Sequence, residues 1–229
     1  AMALLLRVLH DAFPGMLFQW QQIIVFLSVA SMLLGSFAAI GQTSIKRLLA
    51  FSSIANVGFI LIGLAAGTEY GVSSVLIYLA IYVVMTLGSF AVVLAMRRKD
   101  EMDETIQSLA GLSQTNLPMA VAFAALLFSL AGIPPLAGFF AKFYVLDAAI
   151  KAGLTPLAII GVLASVVGAF YYLRVVKIMF FDEPADKFTQ AEPAVRWVMA
   201  ASALLVTFYV VYPSALLDAA GSAARALVP

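Results

Sequence analysis

Six stretches of this chain run at least 21 residues without an Asp, Glu, Lys or Arg: Ala12–Ile45, Leu48–Thr68, Tyr70–Met96, Thr105–Ala141, Ala152–Leu173 and Trp197–Leu217. About 20 apolar residues, each rising 1.5 Å, cross the ~30 Å hydrocarbon core of a bilayer. The chain is 64% hydrophobic and 11% charged over 229 residues, whereas soluble domains carry about 25% charged residues. It therefore reads as a membrane protein. A transmembrane barrel would alternate polar and apolar residues in segments of about ten, and that pattern is missing. The expected fold class is all-α, a polytopic transmembrane helix bundle forming one membrane domain over 1–229. A partial first helix precedes six spans, with expected limits Gln21–Gly41, Ser44–Ala66, Gly71–Met96, Asn116–Ile150, Thr155–Phe181 and Pro193–Tyr212.

The fourth of these spans contains Ala131-Gly132-Ile133-Pro134-Pro135-Leu136-Ala137-Gly138-Phe139-Phe140-Ala141-Lys142. Pro134 and Pro135 lack the amide a helix interior needs, and their rings clash with the preceding turn. Gly132 and Gly138 flank them and supply the unusual φ values of a break. The helix is expected to stop and restart there. In a bilayer, broken backbone is tolerated only where protein buries it or a cavity receives it. Lys142 follows directly, inside the apolar run. A cation at a span centre costs roughly 2.5–3.5 kcal/mol on insertion scales, which makes Lys142 a functional candidate. Snorkelling to the interface is the competing reading. Asp147 lies five positions on, about 140° round the helix, so it is not a natural partner. No carboxylate lies deep in any span, and a charge partner is expected outside this chain.

Loop charges orient the bundle. With the Lys46/Arg47 turn on the cytoplasmic side, alternation brings Arg97, Arg98, Lys99, Arg174, Lys177, Lys187 and Arg196 to the same face. Nine basic residues then face three (Arg7, Lys151 and Arg225), as the positive-inside rule requires. Arg97–Glu104 reads as a solvated mixed-charge turn. Ile106, Leu109 and Leu112 are spaced helically, along a surface segment. Tyr171 and Tyr172 before Arg174 and Lys177 read as an interfacial aromatic belt with snorkelling cations. Gly63 and Gly67 form a small-xxx-small pattern for close helix approach. Ser52, Ser53 and Asn56, with Tyr78, Tyr82, Thr86 and Ser89, leave two readings open: hydrogen bonds across helices, or a wetted polar axis.

Cysteine is absent, which excludes disulfides, thiolate metal sites and iron–sulfur ligation by this chain. One histidine, His10, cannot form a metal constellation. No glycine-rich phosphate loop is present, and a net charge of +1 does not suit a nucleic-acid binder.

Gln42-Thr43-Ser44-Ile45-Lys46-Arg47-Leu48-Leu49-Ala50-Phe51-Ser52-Ser53-Ile54-Ala55-Asn56-Val57-Gly58 resembles the Q-x-x-x-K-R-x-L-A-Y-S-S-I-x-x-x-G stretch of the antiporter-like subunits of respiratory complex I. Mrp-type antiporter and membrane-bound hydrogenase subunits belong to the same family. The break and the Lys142-Phe143-Tyr144-Val145 ending resemble the branch known as subunit N, as does Tyr171-Tyr172-Leu173-Arg174-Val175. Phe51 and Asn56 depart from the family's usual tyrosine and histidine. The resemblance implies part of a fourteen-helix protein, from the second half of its eighth helix to its fourteenth. It implies a non-redox subunit of proton-pumping NADH:quinone oxidoreductase in a bacterial inner membrane. Lys142 would be a proton relay, and Lys46 either a second relay or an interface anchor. The implied partners are lipid and the flanking membrane subunits, with no nucleic acid. FMN, iron–sulfur clusters and quinone would be bound by other subunits, with no cofactor or metal in this chain. The alternatives are an Mrp-type Na⁺/H⁺ antiporter subunit, a membrane-bound hydrogenase subunit, or a membrane scaffold without a proton role.

Overall fold

The structure is a computed structural model that describes residues 2–98 and 101–227. Its helices are α1 (Met2–Ala12), α2 (Leu17–Ile40), α3 (Ile45–Ala65), α4 (Glu69–Ala95), α5 (Leu112–Thr115), α6 (Leu117–Ala131), α7 (Ala137–Lys151), α8 (Thr155–Phe181), α9 (Pro193–Phe208) and α10 (Ser214–Leu227). A two-residue hairpin, β1 (Arg97–Arg98) with β2 (Glu101–Met102), is the sheet found among the described residues. Helices α2, α3, α4, α8 and the stretch Pro193–Val211 are each long and apolar enough to cross a membrane. The shorter α6, joined to α7, completes the sixth, broken span.

The helix starts follow local chemistry. Ser44, Thr68 and Asn116 each accept a bond from the amide three residues on, opening α3, α4 and α6. Such side-chain oxygens satisfy an amide that the helix leaves free. Prolines occupy the first turns of α6, α8 and α9, where a missing N–H does no harm.

Helix α3 is central: most of its residues are buried, whereas α2 and Pro193–Val211 are mostly unburied. Glycine lets α2 and α3 approach closely. A Cβ on Gly35 would stand 2.5 Å from the Ala55 amide nitrogen, and one on Gly58 2.6 Å from Met32 Cγ. The Ser28 hydroxyl donates to the Gly58 carbonyl across the same contact, at 2.7 Å. The Gly63/Gly67 pattern divides its work. Gly63 packs against α4, where a Cβ on Gly71 would meet the Gly63 carbonyl at 2.5 Å, whereas Gly67 turns the chain between α3 and α4 with φ +63°.

Two expectations are corrected. The mixed-charge segment is not a free solvated turn. Ser44 and Thr105 form a β-bridge, Ile45 N–H donates to the Glu104 carbonyl, and Ile106 N–H donates to the Thr43 carbonyl, both at 2.8 Å. Arg98 donates to Asp103, to the Ser108 carbonyl and to the Asp186 carbonyl, and its guanidinium lies 4.9 Å from the Phe188 ring centre. Lys99 and Asp100 lie outside the described residues. Secondly, 105–116 is two short helical pieces, not one, divided at Gly111 with φ +59°; Ile106, Leu109 and Leu112 point inward. Beyond the last expected span the chain continues as α10. Its small residues Ala220 and Ala224 are buried one turn apart, and it packs against α4 and α1. The described basic residues expected on one face do share the end where α2, α4 and α8 finish. The Arg174 guanidinium there donates to the Ile40 carbonyl at 3.0 Å.

Asp103 anchors this rim. Partial burial pushes its carboxyl up, but the Ser108 hydroxyl, the Thr105 amide and the Arg98 guanidinium outweigh that and hold it below 3.8. A carboxyl lowered by folding stabilises the fold above its unfolded value and loses that contribution as pH falls through the folded one. Hydrogen exchange of the 101–108 amides, corrected for intrinsic rates, should therefore be flat near neutrality and rise on acidification below 3.8. Asp103→Asn should abolish that rise, and equal protection at every pH would contradict it.

Candidate functional site

Helix α6 ends at Gly132, whose φ of +88° is open to glycine. Gly132 N–H donates to the Phe128 and Ser129 carbonyls and Ile133 N–H to the Phe128 carbonyl, which closes the last turn. The chain crosses Pro134 and Pro135 and restarts as α7 at Ala137. The break thus falls where the prolines place it, but Gly138 plays a different part from the one expected. It lies in the first turn of α7 and supplies close approach, not an unusual φ. Its N–H donates to the Ser129 hydroxyl at 3.0 Å, and a Cβ there would stand 1.9 Å from the Ser129 carbonyl oxygen.

Lys142 projects from α7 back toward this gap and is 7% exposed. Its Nζ donates to the Ala131 carbonyl at 2.9 Å and to the Ser165 hydroxyl at 3.0 Å. The Ser165 hydroxyl itself lies 3.4 Å from the Ala131 oxygen. The Phe59 ring centre is 4.8 Å from Nζ. Carbonyl, hydroxyl and ring face together match the three N–H groups of an ammonium. The carbonyl end of α6 also bears partial negative charge, which favours a cation. Among the described residues no carboxylate pairs with Lys142. Asp147 instead takes Lys151 at 2.6 Å and the Tyr70 hydroxyl at 2.8 Å. Lys142 does not snorkel.

A second polar group lies further along α3. Tyr78 donates to Asn56 Oδ1 at 2.7 Å, Asn56 donates to the Ser52 hydroxyl at 3.2 Å, and Ser52 bonds the Tyr172 hydroxyl. Tyr171 and Tyr172 are 2% and 1% exposed, so they do not form an interfacial belt. The cross-helix reading holds for Tyr78, Asn56 and Ser52, while Ser89 bonds within α4, to the Met85 carbonyl. Ser52, Asn56 and Phe59 share one face of α3, and Ser165 and Tyr172 one face of α8, by helical spacing. The two helices therefore carry both groups, seven residues or about 10 Å apart along each axis. Ser165 and Phe59 carry no signal of their own in the sequence; only the seven-residue offsets Ser52/Phe59 and Ser165/Tyr172 hint at them.

Lys46 is elsewhere. It is 59% exposed, pairs with Glu104 at 2.8 Å, and begins α3 about 20 Å along the axis from Phe59. The structure does not bring Lys46 and Lys142 together.

A family model described as NADH:quinone oxidoreductase/Mrp antiporter, TM, matches residues 1–168. NADH-quinone oxidoreductase subunit N of Methylobacterium nodulans is 60% identical over 99% of this chain and 47% of its own length. The subunit N of Azorhizobium caulinodans is 63% identical over 99% and 48%. The chain thus spans about half the length of these relatives. A chain of respiratory complex I from Thermus thermophilus superposes with TM-score 0.76 at 31% identity, covering 86% of this chain and 45% of that one. A chain of the Mrp complex from Dietzia superposes with TM-score 0.86 at 24% identity, over 97% and 50%; that likeness is one of fold.

Contact between the half-helices is the structural requirement of this site. Gly138→Val should cost about 3–5 kcal/mol, because the added side chain meets backbone that cannot yield. Gly41→Ala, in open space at the end of α2, should change stability by no more than about 0.5 kcal/mol. Thermal unfolding in detergent, followed by circular dichroism, separates the two.

Proposed function

The chain belongs to the NADH:quinone oxidoreductase/Mrp antiporter membrane family, and we propose that it works as part of a proton-translocating subunit of NADH:quinone oxidoreductase in a bacterial inner membrane. In this reading Lys142 takes up and releases a proton as charges elsewhere in the complex change. The observation that carries it is a buried ammonium held by a carbonyl, a hydroxyl and a ring, with no carboxylate among the described residues to lock its charge. Burial disfavours the charged form, while the helix end and neighbouring dipoles favour it. A lysine held between such influences changes state readily when a nearby charge moves. The Tyr78–Asn56–Ser52–Tyr172 bonds, which cross from α4 through α3 to α8 about 10 Å from Lys142, support the reading as a second buried polar group on the same helices. FMN, iron–sulfur clusters and quinone are assigned to other subunits, and flanking membrane-arm subunits are the partners. Lys46, exposed and paired with Glu104, serves this reading as an anchor at the entry face.

The family's own description, which joins NADH:quinone oxidoreductase with Mrp antiporter, favours one second reading, a cation/proton antiporter subunit. The 60% identity to subunit N relatives weighs against it. Co-purification with flavin and iron–sulfur subunits separates the two.

The relay is tested by two substitutions in the assembled complex. Lys142→Met removes both charge and hydrogen bonds. Lys142→Arg keeps a cation able to bond the Ala131 carbonyl, but arginine does not give up its proton in proteins. Both variants should lower proton translocation by about a hundredfold, the scale of a lost proton-transfer group, as read by dye quenching in membrane vesicles. Full pumping by Lys142→Arg would show that the lysine only caps a helix.

A further inference from the structure

An open cleft lies away from Lys142, on the face that carries most of the basic residues. Two adjoining hollows of about 450 and 380 Å³ share Ala95, Thr189, Gln190, Ala191 and Val195. The floor is apolar and runs along the helices: Met119 and Ala122 from α6, Val195 and Met199 from α9. The mouth is polar and charged, with Arg97, Arg196 and Glu192 around it.

We propose that this groove binds an anionic phospholipid, its phosphate between Arg97 and Arg196 and one acyl chain against the α6/α9 floor. Three features select this occupant. The groove opens where α4 ends and α6 and α9 begin, at the level of a bilayer headgroup region, beside an exposed Trp197 of the kind that marks membrane interfaces. Arg196 lines the first hollow, and Arg97, whose Nε donates to Met102 Sδ at 3.4 Å, lines the second with Glu192; two arginines to one carboxylate favour an anion, and guanidinium matches phosphate in a bidentate fork. Arg196 joins none of the described ion pairs, so its charge is uncommitted. The starts of α6 and α9 add their positive ends to the same side.

The groove is also preformed. Thr189 donates to the Arg97 carbonyl through its amide at 2.8 Å and its hydroxyl at 2.9 Å, which fixes the mouth. Phe188 is held against the Arg98 guanidinium. A headgroup therefore meets a standing wall and does not have to organise a loose loop, which lowers the entropy cost of binding.

The test uses the assembled complex in phosphatidylcholine nanodiscs doped with photoactivatable phosphatidylglycerol, with labelled peptides mapped by mass spectrometry. Labelling is expected within 116–122 and 189–200. The double variant Arg97→Gln with Arg196→Gln should lower it at least about tenfold, the effect of losing charge-assisted bonds to phosphate. Ala122→Phe, which fills the floor, should lower it similarly. Equal labelling by photoactivatable phosphatidylcholine, or by the double variant, would overturn the assignment. So would a photoreactive residue at Ala122 that crosslinks a neighbouring subunit in place of lipid.

Discussion

The structure depends on a bond between two groups that would each be costly alone. A helix that stops inside a membrane leaves carbonyls with no amide to accept from, and a lysine there leaves a charge with no water. The Ala131 carbonyl and the Lys142 ammonium satisfy each other at 2.9 Å. Leaving either unmade would cost about 1–3 kcal/mol, more for the charged member. The prolines make the gap, Gly132 turns the chain, and Gly138 brings the second half-helix close enough for a side chain from its second turn to reach back. Break and lysine are one device.

Around that bond the other helices act as rails. Helix α3 contributes Phe59 to the lysine and Ser52 and Asn56 to the tyrosine group; α8 contributes Ser165 and Tyr172 to the same two places. These side chains lie at seven-residue offsets, so the register between α3 and α8 is set twice, once at each group. A shift of one helix along the other by a single turn, about 5.4 Å, would break both sets of contacts together.

Much of this was legible in the chain. Charge-free lengths gave the spans and their starts within a few positions. Pro134-Pro135 located the break, and Lys142 stood out as a cation in an apolar run. What the lysine meets was not legible. A helix that is apolar all round carries no periodic mark of its inner face, so Ser165 and Phe59 looked like any serine and phenylalanine. Tyr171 and Tyr172 misled because Arg174 and Lys177 follow them, the pattern of an interface belt. Both tyrosines turn inward to the Ser52 side while Arg174 reaches the end of α2. Helix α10 escaped notice because its buried stripe is alanine, with too little hydrophobic contrast to signal burial.

The Ser165 hydroxyl has a property that neither a carboxylate nor a carbonyl in its place would share. Facing an ammonium, it accepts a proton's bond at its oxygen and can aim its own hydrogen at the Ala131 oxygen, 3.4 Å away. Facing a neutral amine, it can rotate and donate to the nitrogen's lone pair, while the amine still donates to the carbonyl. Both charge states then keep a complete set of partners with no heavy atom displaced, so turning over the charge asks only for the rotation of a single O–H.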